Sequence, residues 1–473
     1  MPGRKHPRVR IVRAPEENSM HILLINPNWS GIRKQQQFQF KRLWPPLDLA
    51  IIAGELLAQG HSVKILDNNV ERLPPRHIGN MASCFDKVFV TSTPYDRWQC
   101  PSLDIAFFFD EIRHISKDRL YVMGAHITER PEPILRESGA RAALLSEPDN
   151  AVSEIVQKDI HAKFPLDIPG TAWLRNGRLA SSPRCQRIMD MNALPYPAFH
   201  LLPMHRYGYE FMGDRFAILE SSRGCPHQCH FCYSGMFGTR FRQKSLERFL
   251  DEIVDVVRRF NVRRLYFMDL EFGLNRQYLQ HFCDAMIRLN LGIEWCCQTR
   301  VTDIDTDILN LMKKAGCTLI HFGIESGSDR ILKTIGKQIC VADAIRGVHL
   351  TRQAGIRTAV FMNFGFPGET ISEMNATINL AIRLNPSYAS FHLIVPFPGT
   401  RMATDIGLDM ERFPVSQYPH YNFVHHDLHT LKRILRKAYL KFYLRPAYFR
   451  QMATTLSGAN LKQFALFLGL VTS

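Results

Sequence analysis

Short unbroken apolar runs alternate along this chain with longer stretches whose apolar residues recur every three or four positions. The run His21-Ile22-Leu23-Leu24-Ile25-Asn26-Pro27 ends in turn residues and shows no polar side, as a strand buried on both faces does. Helical spacing follows from Pro46 to Gln59 and stops at Gly60, after which Ser62 to Leu66 reads as a second strand closed by Asp67 and Asn68. The unit returns with a strand at Lys87 to Thr91, a helix around Leu103 to Ile115, a strand at Leu120 to Gly124 and a further strand at Ala142 to Leu145. Residues 20–155 are therefore predicted to form a doubly wound, Rossmann-like α/β domain, behind a mobile basic arm over 1–19 that has no periodicity.

Residues 156–212 shift to Pro, Arg and Asn. The Asn176-Gly177 pair suits a tight hairpin turn and Leu194-Pro195-Tyr196-Pro197 excludes a helix, so this stretch reads as a linker with one hairpin. From 213 to 400 the alternation resumes, with strands near 216–220, 263–268, 292–298, 318–324, 356–364 and 388–395 and helices between them. Six strands separated by helices predict a partial (β/α)6 barrel of the TIM type, whose chemistry sits at the C-terminal strand ends. Residues 401–473 read as a helical C-terminal region. Its basic, aromatic pattern over 425–450 fits a helix packed on the barrel or one lying on a membrane surface, and Phe464 to Leu470 is apolar.

Composition changes the picture at three points. With 45% hydrophobic and 22% charged residues in a chain of 473, a disordered or fibrous protein is excluded. A net charge of +15 favours anionic partners without choosing among them. No run approaches the length of a membrane span and the first twenty residues lack the apolar middle of a secretion signal, so a cytoplasmic location is expected. Eleven cysteines, an odd number scattered over a long chain, fit neither a disulfide framework nor export. Cys283, Cys296, Cys297, Cys317 and Cys340 read as small core residues.

Cys225, Cys229 and Cys232 differ from these, at spacings of four and three in the loop that follows the first barrel strand. Thiolates at this density bind zinc or an iron–sulfur cluster. Zinc would take a fourth ligand from His227 or His230, and the chain would then be a zinc-binding, nucleic-acid-binding module with phosphate contacts at Arg8 to Arg13 and over 432–450. A four-iron cluster held by three thiolates leaves one iron open to a substrate or cofactor.

Cys-x3-Cys-x2-Cys followed by the aromatic Tyr233, after the first strand of a β/α barrel, resembles the signature of the radical S-adenosylmethionine enzymes. The resemblance implies that the three cysteines hold a 4Fe-4S cluster, that its fourth iron chelates S-adenosylmethionine, and that reductive cleavage releases a 5′-deoxyadenosyl radical. It further implies S-adenosylmethionine contacts at Tyr233, at Glu271 after the second strand, at Arg300 after the third, and at Glu325 and Ser326 closing the fourth. Sulfur transfer to tRNA would call for extra N-terminal cluster cysteines, where only Cys84 and Cys100 lie.

The N-terminal domain resembles the cobalamin-binding domain of one subfamily of these enzymes, through Asn26-Pro27, the helix from Pro45-Pro46-Leu47 to Gly60-His61, the Asp67 strand end, Gly124-Ala125-His126 and Ser146-Glu147-Pro148. The Asp-x-His-x-x-Gly pattern that supplies a histidine to cobalt is missing, so cobalamin would bind without that ligand. Its expected contacts are Thr91, Ser92, Thr93, Gly124, Ala125, His126, Ser146 and Glu147, since ligands of open α/β sheets lie beyond the carboxyl ends of the strands. The function implied is methylation of an unactivated carbon of a small-molecule or lipid-like substrate, with cobalamin-dependent cyclisation or rearrangement as the alternative. An external electron donor such as flavodoxin or ferredoxin is implied, no nucleic acid is expected, and peripheral membrane contact is an expectation for the C-terminal region.

Overall fold

The computed structural model describes residues 19–29, 43–98, 101–158, 168–183 and 187–453. The basic arm before Ser19 and the run Phe464 to Leu470 lie outside these residues.

The first sheet has seven strands: β1 (His21–Asn26), β2 (Ser62–Asp67), β3 (Lys87–Thr91), β4 (Leu120–Met123), β5 (Ala142–Leu144), β6 (Thr171–Arg175) and β7 (Arg178–Ser181), in the order β2-β1-β3-β4-β5-β6-β7. The first five are parallel. β1, β3, β4 and β5 are mostly apolar and buried on both faces because helices cover both, namely α1 (Leu47–Ala58), α2 (Pro75–Ala82), α3 (Ala106–Ile112), α4 (Ala125–Glu129), α5 (Pro131–Ser138) and α6 (Asp149–Lys158), while the edge strand β2 exposes Ser62 and Lys64. The order reverses between β1 and β3, which opens a crevice at their carboxyl ends.

The hairpin assigned above to a linker is part of this sheet. β6 adds antiparallel to β5 through Leu144↔Thr171 and Ala143↔Ala172, so the first unit reaches Ser181 rather than ending at 155. Asn176 and Gly177 form its turn with positive φ, as the pair suggested.

The second sheet is wholly parallel and pairs in chain order: β8 (Phe216–Leu219), β9 (Arg264–Phe267), β10 (Glu294–Gln298), β11 (Cys317–Glu325), β12 (Arg357–Phe364) and β13 (Tyr388–Leu393). Helices α7 (Leu246–Phe260), α8 (Arg276–Leu289), α9 (Thr306–Lys314), α10 (Val341–Gln353) and α11 (Ile371–Leu384) separate the strands. Their ends follow side-chain chemistry in the sequence. Ser245, Asn275, Asp305 and Thr370 accept backbone N–H bonds at the starts of α7, α8, α9 and α11, and Asn261, Asn290 and Asn385 end α7, α8 and α11 in the left-handed region. Cys340 is no core residue: it stands at the start of α10, where Asp343 accepts from its backbone N and its thiol.

The ring of strands stays open, because β13 pairs only with β12. The edge it leaves is covered by α12 (Leu428–Tyr443), which is followed by α13 (Pro446–Ala453). The Tyr443 hydroxyl donates to Ala389 O at 2.7 Å and accepts from its N–H at 3.2 Å. Tyr439 does the same for Phe391 at 3.1 and 3.2 Å. Four residues of helix and two of strand each span roughly 6 to 7 Å, so the two hydroxyls match alternate strand residues.

Candidate functional site

The carboxyl edges of the two sheets face each other. On the first sheet the contacts come from the segments after β3, β4 and β5; on the second they come mainly from the segments after β8 and β13. Trp98 packs on Phe237 at 4.8 Å, His126 lies 5.7 Å from Phe397 and 4.9 Å from Tyr418, and the Tyr233 hydroxyl donates to Glu129 at 2.7 Å. Arg130 donates to the carbonyls of Met410 and Pro414 at 3.2 Å.

A buried charged network ties the cysteine loop into this interface. Arg223, fully buried two residues before Cys225, donates from Nε to Glu220 at 2.9 Å and from one terminal nitrogen to Glu147 at 2.5 Å and Asp149 at 3.0 Å. Arg242 reaches the other Glu147 oxygen at 2.8 Å, and the Tyr95 hydroxyl donates to Glu220. Burial alone would raise the Glu220 carboxyl, but Arg223 and Lys244 override it and hold it below the usual range.

The cysteine loop itself is clipped at its base, where Ser222-Arg223 pairs antiparallel with Arg242-Gln243. Gly224 enters it with φ of +82, and a Cβ there would stand 2.1 Å from Arg240 O, so the position needs glycine. His230 N donates to Ile335 O at 2.9 Å, and Phe231 packs 5.6 Å from Phe366. The three cysteines are reduced and half-buried. Burial pushes Cys225 up to about 11, so a centre that binds its thiolate must supply compensating positive charge.

Glu271 lies next to this loop. Its Oε1 accepts from the Thr299 hydroxyl and from Arg300 N at 3.0 Å, and burial pushes its carboxyl up to about 7. A cation beside it would favour the ionised form. His227, Glu271 and Asp303 hold their ligand atoms within 4.8 Å of one another, and among the described residues this group contains no cysteine. A tetrahedral zinc brings its sulfur ligands to about 3.8 Å from each other. Among the described residues no such close group of three donors contains the cysteines. Neither histidine joins them: His227 faces Glu271 and Asp303, and the His230 ring lies against Gly336. The donor set fits a larger cluster held at three corners.

The remaining expected contacts divide. Glu325 closes β11 with φ of +72, beyond a register shift against β12, and is held by Lys337 Nζ at 2.9 Å and by Asn363. Burial alone would lower Lys337, but the Glu325 carboxylate holds it above the ordinary range. Arg300 donates to the carbonyls of Lys337 and Gln338, the latter at 3.1 Å, and so fastens the turn beneath the cysteine loop. Ser326 turns toward α11, 3.4 Å from Thr377. The Tyr233 side chain points to the first domain, as above. Lys337, Asn363, Asp303, Arg223 and Glu129 were not singled out from sequence, and no motif marks them.

In the first domain, Thr91, Ser92, Thr93, Gly124, Ala125 and His126 come together but bond mainly to one another. His126 Nδ1 lies 2.9 Å from Thr93 Oγ1 and 3.1 Å from Ser92 Oγ, Nε2 lies 2.8 Å from Ser102 O, and burial lowers the imidazole to about 4. Both ring nitrogens are thus engaged. Ser146, at φ of +61, donates its N–H to Thr128, and Glu147 is held by the two arginines. Open polar positions lie nearby: Asn69 Oδ1 after β2 and Ser102 Oγ in the β3–α3 connection are buried with no hydrogen-bond partner among the described residues. Acceptors and hydroxyls of this kind suit a ligand rich in amides.

The radical SAM superfamily model matches residues 219–381. Over 439 residues the chain is 32% identical to an uncharacterized methyltransferase of Pyrococcus horikoshii, covering 90% of this chain and 92% of that protein. Over 420 residues it is 26% identical to the anaerobic magnesium-protoporphyrin IX monomethyl ester cyclase of Rubrivivax gelatinosus, covering 86% and 73%. The fold is similar to that of the radical S-adenosylmethionine methyltransferase TsrM from Kitasatospora setae, solved with cobalamin and a [4Fe-4S] cluster bound, at a TM-score of 0.66 and 18% identity over 82% of this chain and 74% of that one. The chain belongs to the radical SAM superfamily.

Proposed function

We propose that this protein is a cobalamin-dependent radical S-adenosylmethionine methyltransferase acting on an unactivated carbon of a small-molecule or lipid-like substrate. The observation that carries the reading is the meeting of two sheet edges, one bearing the three-cysteine loop and the other a switch-point crevice with open polar atoms. When bound, the cluster and S-adenosylmethionine supply hydrogen abstraction, and cobalamin supplies the methyl group.

The chain's own residues prepare that site. Cys225, Cys229 and Cys232 would hold the cluster. Glu271 would take an ammonium group, and Glu325, bonded to Lys337 Nζ, would accept hydroxyl or ammonium hydrogens; Arg300, Ser326 and Tyr233 would position the loops around them. The strand-end loops at Thr91–Thr93, Gly124–His126 and Ser146–Glu147, with Asn69 and Ser102, would cradle cobalamin. His126 would not ligate cobalt, because both its nitrogens are engaged. The aromatic interface of Trp98, Phe237, Phe397 and Tyr418 would keep water from the cleft between the sheets.

Among the described residues no helix is long and apolar enough to cross a membrane. A cytoplasmic enzyme fed by a one-electron donor such as flavodoxin or ferredoxin accords with the reduced cysteines. The second reading, cyclisation or rearrangement without methyl transfer, is favoured by the likeness to the Rubrivivax cyclase. One assay separates the two. The reconstituted protein is incubated with S-adenosylmethionine and reductant, and the adenosyl products are counted. Both 5′-deoxyadenosine and S-adenosylhomocysteine are expected from a methyltransferase; 5′-deoxyadenosine alone would contradict it.

A further inference from the structure

Residues 428–473 contain eight Lys and Arg and no Asp or Glu, so about a tenth of the chain carries more than half of its net charge of +15. The structure shows how the first part of this segment is presented. Leu431, Ile434, Ala438 and Phe442 are buried along one stripe of α12, and Tyr439 and Tyr443 bond the β13 edge, so the helix is fixed in orientation. The outward face carries Lys432, Arg433 and Arg436, all exposed, with Lys441 at its flank. Among the described residues none of the three outward cations has an acidic partner: the nearest acid in sequence, Asp427, is spent on the N–H groups of His429 and Thr430. Where α12 gives way to α13, Leu444 and Phe449 are 43% and 41% exposed, beside the exposed Arg450. The neighbouring α11 adds Ile371, 45% exposed, and the exposed Arg383.

We infer that this face docks on an anionic lipid bilayer. The cations would meet headgroup phosphates, while Leu444, Phe449 and Ile371 would enter the boundary between headgroups and acyl chains. A nucleic acid would satisfy the cations equally well, but the aliphatic Leu444 and Ile371 give nothing to a base or phosphate. The described helices α12 and α13 contribute none of the residues of the sheet interface described above, so docking and chemistry draw on different residues.

The test is flotation of the full-length protein with vesicles of phosphatidylcholine alone or mixed equally with phosphatidylglycerol. Binding to the mixed vesicles only, and its loss at high salt, is expected. Each exposed cation near such a surface changes partitioning about fivefold, so Lys432→Glu/Arg433→Glu/Arg436→Glu is expected to weaken it more than about a hundredfold. Leu444→Ser/Phe449→Ser is expected to weaken it about tenfold while keeping the salt dependence. Thermal melting of each variant checks folding, and the wild-type comparison stands without them. Equal binding to both vesicle types would overturn the inference. So would displacement of the protein from mixed vesicles by single-stranded RNA at equal phosphate, which would assign the face to nucleic acid.

Discussion

The two sheets end in loops of opposite character. After β8 and β9 lie three reduced cysteines, the Nε2 of His227, which has no hydrogen-bond partner among the described residues, and a Glu271 carboxyl that burial raises to about 7. After β3 and β4 the polar groups of Thr91, Ser92, Thr93 and His126 consume one another, and the openings lie to the side, at Asn69 and Ser102. The lesson is that a strand-end location does not by itself make a site. Unmet bonding capacity does, and the two edges spend theirs differently, one on ligands and one on holding the domains together.

That contrast can be broken most sharply at the thiols. Cys225→Ala, Cys229→Ala or Cys232→Ala is expected to remove nearly all bound iron and lower S-adenosylmethionine cleavage at least about a thousandfold, with cobalt binding unchanged. Loss of cobalt along with iron would show that the two edges are not separable sites.

The next largest effect is on the tie between them. Arg223→Ala leaves Glu220, Glu147 and Asp149 buried without their shared cation, so urea unfolding is expected to show a loss of about 3–5 kcal/mol. A loss below about 1 kcal/mol would mean that Arg242 and Lys244 compensate for it.

A smaller effect follows at Asp48 on α1, whose carboxyl is fully buried and raised by that burial to about 7. Its folded pKa exceeds the unfolded value, so its contribution is fully present below about pH 4 and is lost as pH rises toward 7. Asp48→Asn keeps the shape of the neutral acid. It is expected to gain about 2–3 kcal/mol more at pH 8 than at pH 5, read from melting curves at the two pH values. An equal effect at both would show that the group is ionised throughout.

The smallest expected change is in cobalt binding by His126→Gln. Since both ring nitrogens are engaged within the protein, cobalamin affinity should stay within about twofold of the wild type, and the spectrum of the bound cofactor should not move. A shifted spectrum would make His126 a ligand after all.

Much of this was legible locally. The cysteine loop is written in eight consecutive residues, and the barrel helices start and stop at Ser245, Asn261, Asn275, Asn290, Thr370 and Asn385, whose side chains carry the capping chemistry themselves. What was not legible depends on residues far apart in the chain. Nothing near Asn176 says that its hairpin will add to β5 instead of standing in a linker, because the pairing partner is chosen by the free edge at Leu144. The role of Lys337 rests on a turn that brings it back to Glu325, and that of Arg223 on three carboxylates, two of them more than seventy residues away. The side-chain directions of Tyr233 and Ser326 were not legible, because neighbours on another domain and another helix set them.

The central claim is that one edge holds an iron–sulfur cluster and the facing edge holds cobalamin, independently. The most direct test is the iron, cobalt and zinc content per chain after anaerobic reconstitution with iron, sulfide and hydroxocobalamin, for the wild type and for Cys225→Ala/Cys229→Ala/Cys232→Ala. The account predicts about four irons and about one cobalt in the wild type, and cobalt alone in the variant. Zinc without iron in the wild type, or iron with no cobalt, would contradict it.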